Sequence, residues 1–148
     1  MSDDERIRVL QQELQLLIRQ SRMTTRELAR AVHPRLDPSA YALVALLSSG
    51  PPKRVSEVAA ELNQEVSTVS RQIDAVARLG LVNRTPDPRD ARARLVSLTE
   101  SGKATVSAQL AARRDRLTTQ LATWPSSDLS ELTRLLHKLR DSGIWEIG

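Results

Sequence analysis

Four arginines stand close together between Val82 and Leu98, and two aspartates lie among them. These residues are Arg84, Arg89, Arg92, Arg94, Asp87 and Asp90. A guanidinium group pairs bidentately with a phosphate or with the edge of a guanine. An exposed group of arginines can therefore contact a nucleic-acid backbone or enter a minor groove. The alternative is a solvated segment in which the opposite charges form surface ion pairs.

The same segment has the pattern of a β-hairpin. Pro86 and Pro88 interrupt any helix here and favour a turn or an extended backbone. Apolar residues lie at both ends of the polar stretch, at Val82 and at Leu95–Val96. We therefore expect two short strands joined by a polar tip, and the tip carries the two prolines and the four arginines.

Two short helices are predicted immediately before the hairpin. The first covers Arg54–Leu62, with Ser56 as its expected cap, and the second covers Glu65–Leu79. Asn63 lies in the turn between them, where a left-handed backbone is needed and asparagine is tolerated. Gly80 follows the second helix at the position that favours a left-handed residue. Two short helices joined by a tight turn form a helix-turn-helix unit.

The second of these helices is predicted to have an apolar and a polar face. The inward face is expected to contain Val66, Val69, Ile73 and Val76. The opposite face contains Ser67, Thr68, Ser70, Arg71 and Asp74. Short hydroxyls and an arginine near a helix N-terminus suit the major groove, because they reach phosphates and base edges. The alternative is an ordinary solvated helix surface.

The order of the elements favours the nucleic-acid interpretation of both features. A helix-turn-helix followed directly by an arginine-rich hairpin is the arrangement of a winged helix. In that arrangement one helix enters the major groove and the hairpin reaches an adjacent minor groove. The sequence therefore predicts a DNA-binding protein, mainly α-helical, with a small β-hairpin wing.

Motifs spread over most of the chain resemble the MarR family of bacterial transcriptional regulators. They are Arg84-Thr-Pro-Asp-Pro-Arg-Asp-Ala-Arg92, Leu98-Thr-Glu-Ser-Gly102, Val66-Ser-Thr-Val-Ser-Arg71, Leu79-Gly-Leu-Val82 and Pro38-Ser-Ala-Tyr41. The resemblance implies a homodimer whose first and last helices interleave and whose two lobes bind a pseudo-palindromic operator. It also implies that Arg89 enters the minor groove and that Asp90 pairs with a nearby wing arginine.

The candidate site residues follow from these motifs. The residues expected to contact DNA are Ser67, Thr68, Ser70, Arg71, Arg84, Arg89, Arg92 and Arg94. By the resemblance, the first four of them lie in the major groove. Asp87 and Asp90 are expected to brace the wing by holding its arginines.

Apolar stripes mark the helices predicted near both ends of the chain. The first helix, from about Asp3 to Val32, carries Ile7, Leu10, Leu14 and Leu17. The last two, roughly Thr99–Ala122 and Asp128–Asp141, carry Val106, Leu110, Leu117, Leu121, Leu129, Leu132, Leu135, Leu136 and Leu139. Exposed stripes at both ends need a partner surface, and a symmetric dimer is the common solution. The alternative is that these helices pack on each other within one chain.

These stripes give the expected organisation of the chain. Dimerisation regions are predicted at 1–35 and 101–148, and a winged-helix lobe at 36–100, within one compact domain. Asp37 and Pro38 are expected to start the helix of the buried segment Tyr41–Leu47.

Composition argues against several other kinds of protein. The chain has no cysteine, and its five glycines form no phosphate-binding loop. His33 and His137 are the only histidines, and neither has a partner at metal-ligand spacing. We therefore expect no cofactor, no metal and no enzymatic activity. No apolar run approaches the roughly 20 residues of a membrane span, and the first residues are acidic, unlike those of a signal peptide. We therefore expect a cytoplasmic protein without a membrane partner.

The resemblance further implies a pocket for a small aromatic or anionic effector. Residues that could line it are Arg19, Arg22, His33, Arg35 and Tyr41. Each of them could equally be an ordinary surface or interface residue. The overall prediction is a dimeric repressor released by a small-molecule effector. The alternative is a ligand-binding or protein-binding dimer of the same fold that does not bind an operator.

Overall fold

A computed structural model describes residues 1–144 as a mainly helical protein with a small antiparallel sheet. The helices are α1 (Asp3–Val32), α2 (Tyr41–Leu47), α3 (Val55–Leu62), α4 (Val66–Arg78), α5 (Glu100–Leu121) and α6 (Ser126–Arg140). The strands are β1 (Lys53–Arg54), β2 (Val82–Asp87) and β3 (Asp90–Leu98). The fold class predicted from the sequence is confirmed.

The chain divides into two compact units, the first of residues 1–110 and the second beginning at Ala111. The core of the first unit draws residues from the end of α1, from α2 to α4, from the sheet and from the start of α5. Its fully buried members with the largest side chains are Leu43, Ile73, Val44, Val58, Val69, Val76, Val96 and Val106. The helix-turn-helix and the wing therefore share one core.

Local signals set the ends of the first helices. Ser2 and Glu5 form a capping box at the start of α1, where Ser2 Oγ accepts from the Glu5 amide at 3.3 Å and Glu5 Oε2 accepts from the Ser2 amide at 2.8 Å. Asp37 caps the 3₁₀ turn that leads into α2, and its carboxylate accepts from the Ser39 amide at 2.8 Å. Hydrogen bonding from the Ser39 side chain first, and then from the Ser39 amide, lowers the pKa of Asp37.

The first helix of the helix-turn-helix begins differently from the prediction. Arg54, rather than Ser56, is its N-cap residue, and the Glu57 carboxylate accepts from the Arg54 amide at 3.4 Å. Ser56 lies within the first turn because β1, which the sequence analysis did not foresee, holds Lys53 and Arg54 against β3. The short strand therefore fixes where α3 starts.

Both predicted left-handed positions are confirmed. Asn63 has φ 51° and ψ 48°, and Gly80 has φ 76°. At each of them two amides bond back to the preceding helix, as in a Schellman motif. The bonds after α3 run from Asn63 N–H to Ala60 O and from Gln64 N–H to Ala59 O, at 3.2 and 3.0 Å.

The wing is tied to the end of α4 at a close backbone approach. Thr99 donates its hydroxyl to Gly80 O at 2.7 Å and its amide to Leu81 O at 2.9 Å. The Thr99 hydroxyl also accepts from the Gly102 amide at 3.0 Å, so it caps α5. A Cβ at Gly102 would lie 2.5 Å from Leu81 O, which explains the glycine at this position.

The second unit contains the rest of α5 and all of α6. No residue of α6 is buried, although Leu129 and Leu139 are partly covered. Its polar face has an Arg134–Glu131 ion pair at 2.6 Å. Of the helices described, none is long and apolar enough to cross a membrane.

Candidate nucleic-acid interface

One line of side chains runs along the outer surface of α4. Ser67, Arg71, Asp74 and Arg78 follow each other at intervals of four, three and four residues, so they share one helix face. All four residues are exposed. Thr68 is also exposed and Ser70 is half-buried, on either side of this line. The predicted hydroxyl and arginine side chains of α4 are thus available to a ligand.

The inner face of α4 is anchored in the core. Val69, Ile73 and Val76 are at most 1% exposed, as predicted for the inward face. Val66 was wrongly placed there, because its side chain is 52% exposed at the first position of the helix. Gln72 adds a polar attachment by donating to Ser39 O at 3.3 Å.

The four arginines of the wing lie at different distances from the turn of the hairpin. Arg89 lies in the turn between β2 and β3, whereas Arg84 and Arg94 lie within the strands, opposite Val96 and Pro86 respectively. Arg92 is in β3, close to the turn. The prediction that all four arginines stand at the tip is therefore wrong for Arg84, which lies nearer the base. All four arginine residues are exposed to solvent.

Asp87 connects the wing tip to the helix-turn-helix. Its carboxylate accepts from the Arg89 amide at 2.9 Å and from Arg54 Nε at 2.7 Å. The Asp87 side chain is only 5% exposed. The Arg89 amide first, and then the Arg54 guanidinium, lower the pKa of this carboxyl group against the opposing effect of burial. Asp87 thereby holds the backbone that presents Arg89.

Arg54 is a partner of the wing that the sequence pattern did not predict. Its guanidinium bonds to Asp87, and this contact raises the already high pKa of Arg54. The two residues are 33 positions apart, and no local pattern relates them. Their proximity depends on the pairing of β1 with β3, which the sequence did not reveal.

Asp90 acts differently from the prediction. Its carboxylate accepts from the Arg92 backbone amide at 3.0 Å. None of the ion pairs within residues 1–144 uses Asp90, so the expected pairing with an arginine side chain is wrong. An aspartate in a tight turn bonds readily to the amide two residues ahead, and this local bond occupies Asp90.

A second ion pair joins the wing directly to α4. The Arg84 guanidinium bonds to the Asp74 carboxylate. Together with Arg71, Ala77 and Arg78, these residues line an open cleft of about 570 Å³. The cleft runs between the outer face of α4 and the base of the wing, and it brings together Arg71 and Arg84 from the predicted site.

The predicted effector residues are only partly brought together. Arg22 lines a smaller cleft of about 260 Å³ with Ser21, Thr25, Arg26, Pro38 and Ser39. Arg19 lies on the exposed surface of α1, and His33 Nδ1 accepts from the Arg35 amide at 3.0 Å. Tyr41 is 7% exposed, and its hydroxyl has no hydrogen-bond partner among the described residues. None of Arg19, His33 and Tyr41 lines the cleft at Arg22.

Comparisons with known proteins agree with this architecture. A model of the MarR family matches residues 36–93. The uncharacterised HTH-type transcriptional regulator YxaD of Bacillus subtilis (strain 168) is 31% identical over 109 residues, which are 74% of this chain and 76% of YxaD.

Two solved structures share the fold at lower sequence identity. A MarR family protein from Bacillus stearothermophilus has a TM-score of 0.74 at 19% identity, with 95% of this chain and 97% of that chain covered. Streptococcus pneumoniae FabT, solved in complex with DNA, has a TM-score of 0.77 at 14% identity, with 91% and 95% covered.

The family consists of transcriptional regulators, so the prediction that the chain is not an enzyme is also confirmed. No group of His, Cys, Asp and Glu side chains suited to a metal ion occurs in the part of the chain that the structure describes. The winged-helix lobe, the family match and the similarity to YxaD together show that this chain belongs to the MarR family of transcriptional regulators.

Proposed function

We propose that this protein is a homodimeric, sequence-specific DNA-binding regulator that acts as a repressor. The observation that carries the proposal is that α4 and the wing are held together on one core. Thr99 bonds to Gly80 and Leu81 at the end of α4, and Asp87 joins the wing tip to Arg54. Their exposed hydroxyls and guanidinium groups therefore meet a duplex together.

The two halves of this surface suit adjacent grooves. Ser67, Thr68, Ser70 and Arg71 lie in the first half of α4, the part of a recognition helix that contacts base edges. Arg89 is at the wing turn, where a guanidinium can enter a narrow minor groove. Arg92 and Arg94 extend along β3 and suit phosphate contacts. FabT, which has the same fold, was solved in complex with DNA.

The proposed dimer follows from apolar side chains that the single chain leaves uncovered. On α1, Ile7, Leu10 and Leu17 are 50–62% exposed, and on α6 Leu135 and Leu136 are 45% and 52% exposed. Exposed apolar stripes of this kind mark a protein interface. A two-fold dimer presents two recognition helices about 34–36 Å apart, one turn of DNA. The expected operator is therefore an inverted repeat.

Repression and release by an effector complete the proposal. A dimer bound across a promoter excludes polymerase, and this is the simplest action of such a protein in the cytoplasm. The cleft lined by Arg22, Arg26 and Ser39 carries two guanidinium groups, which suit a small anionic effector. The cleft contacts the 3₁₀ turn at Ser39, whose carbonyl holds Gln72 of α4. An effector there can shift the recognition helix.

Substitution of single arginines tests the DNA-binding surface. Arg71→Ala and Arg89→Ala should each weaken binding to a selected operator by roughly tenfold or more, because each removes a groove contact. Arg116→Ala is the matched control, since it removes the same charge from an exposed site on α5. Gel-shift titration and thermal unfolding of each variant separate binding from folding. If both groove variants bind like the control, the proposed surface is wrong.

A further inference from the structure

The cleft between α4 and the wing contains one negative charge, which is unfavourable on a surface that binds phosphate. Three of its five lining residues are arginines, and one, Asp74, is an aspartate. The DNA backbone that separates a major groove from the next minor groove passes between a recognition helix and its wing. In the proposed complex this cleft therefore faces backbone phosphates.

Asp74 occupies one of the arginines of the cleft. Its carboxylate bonds to Arg84, whereas Arg71 and Arg78 belong to none of the ion pairs found in residues 1–144. The cleft consequently offers two guanidinium groups to phosphates instead of three. The carboxylate also repels phosphate directly.

Fold stability does not explain why Asp74 is there. Its side chain is 51% exposed and that of Arg84 is 36% exposed. An ion pair this accessible to solvent contributes little to the free energy of unfolding. The α4 helix is already attached to the core through Val69, Ile73 and Val76. We therefore expect Asp74 to act on the binding of a ligand in the cleft.

Resting on the proposed function, we propose that Asp74 is a specificity-determining residue that restrains binding to the DNA backbone. Phosphate contacts are the same for every sequence, so they raise affinity for all duplexes alike. By holding Arg84 and repelling phosphate, Asp74 lowers this common contribution. Only duplexes that also satisfy the base contacts of α4 and Arg89 are then bound tightly.

The test compares Asp74→Asn with wild type on two duplexes, a selected operator and an unrelated sequence of equal length. The variant removes the charge, keeps the shape and weakens the contact that holds Arg84. Binding to the unrelated duplex should tighten roughly fivefold or more at physiological salt, and its salt dependence should steepen by about one phosphate contact per lobe. The affinity ratio between operator and unrelated duplex should fall.

Two further variants identify the cause. Glu131→Gln is the matched control, because it breaks another exposed arginine–carboxylate pair and changes the net charge equally, on α6. It should leave both affinities unchanged. Adding Arg84→Ala to Asp74→Asn should reverse most of the gain, because the released guanidinium is then absent. Thermal unfolding confirms that each variant is folded.

The outcomes separate this inference from the proposed function. If wild type binds the operator and Asp74→Asn binds both duplexes as before, or more weakly, Asp74 does not restrain backbone binding. If Glu131→Gln produces the same gain, net charge and not the cleft is responsible. If wild type binds no duplex at any salt concentration, the proposed function itself is wrong.

Discussion

The winged-helix lobe buries its apolar side chains, whereas the terminal helices expose many of theirs. Within residues 24–116 Val66 is the one large apolar residue that is strongly exposed, whereas fourteen others lie in residues 1–23 and 117–144. In the lobe, Val69 and Ile73 are fully buried. On α1, Leu10 and Leu17 are 50% and 58% exposed. The same kind of apolar helical stripe is therefore buried within the lobe and exposed on the terminal helices.

This difference shows which part of the chain is complete as a single copy. The lobe, with the end of α1 and the start of α5, encloses a core that one chain completes, and the Asp87–Arg54 pair joins the wing to β1. The terminal helices leave apolar surface that water does not favour. A second copy of the chain is the partner that we propose for it.

The largest expected effect comes from charging the α1 stripe. Leu10→Glu combined with Leu17→Glu should convert the dimer to monomer and abolish tight operator binding, because two buried charges would oppose each other across the interface. Sedimentation analysis measures the assembly, and gel shift measures the binding. Gln12→Glu, exposed elsewhere on α1, is the control. A dimer that persists with both glutamates would remove α1 from the interface.

Two valines at the start of α4 differ in burial, since Val69 is fully buried and Val66 is exposed. Val69→Ala should lower the free energy of unfolding by about 2 kcal/mol, since it removes two buried methyl groups and leaves a cavity. Val66→Ala removes the same groups from an exposed side chain and should have almost no effect. Urea denaturation of both variants gives the two values. Equal losses would show that Val66 is buried.

A smaller effect is expected at the turn of the helix-turn-helix. Asn63→Ala should destabilise the lobe by about 1 kcal/mol, because alanine is strained at a φ of 51° and asparagine tolerates this conformation. Asn63→Gly is the matched variant, and it should remain close to wild type. Thermal denaturation resolves this difference. An alanine variant as stable as the glycine variant would contradict the left-handed turn.

The smallest effect is the acid sensitivity of the wing anchor. The pKa of Asp87 is lowered in the folded protein, so its stabilisation is fully present above the unfolded value of about 3.9 and is lost as the pH falls through the folded value. The stability difference between wild type and Asp87→Asn should be constant from neutral pH to about pH 4 and shrink below it. Thermal unfolding at each pH checks this, and a difference that grows in acid would refute it.

The sequence predicted those parts of the fold that depend on neighbouring residues. Helical periodicity located α1 and α4, and the demand for a left-handed backbone identified Asn63 and Gly80. The two prolines and the flanking apolar residues predicted the hairpin. In each case the physical cause lies within a few residues of its effect.

The parts that could not be predicted depend on contacts between distant segments. Arg54 and Asp87 meet across 33 positions because β1 pairs with β3. Arg84 was placed with the other arginines of the wing, but the register of β2 brings it beside Asp74 of α4. Val66 fits the apolar pattern of α4 and is nevertheless 52% exposed at the first position of the helix. Composition and spacing contain none of this information.

Selection of bound sequences from a random duplex pool measures DNA binding and the two-fold symmetry of the bound site together. We expect enrichment of an inverted repeat whose half-sites lie about 10 base pairs apart, centre to centre, as two recognition helices of a symmetric dimer require. Failure of wild-type protein to enrich any sequence, or enrichment of a single half-site without symmetry, would contradict it.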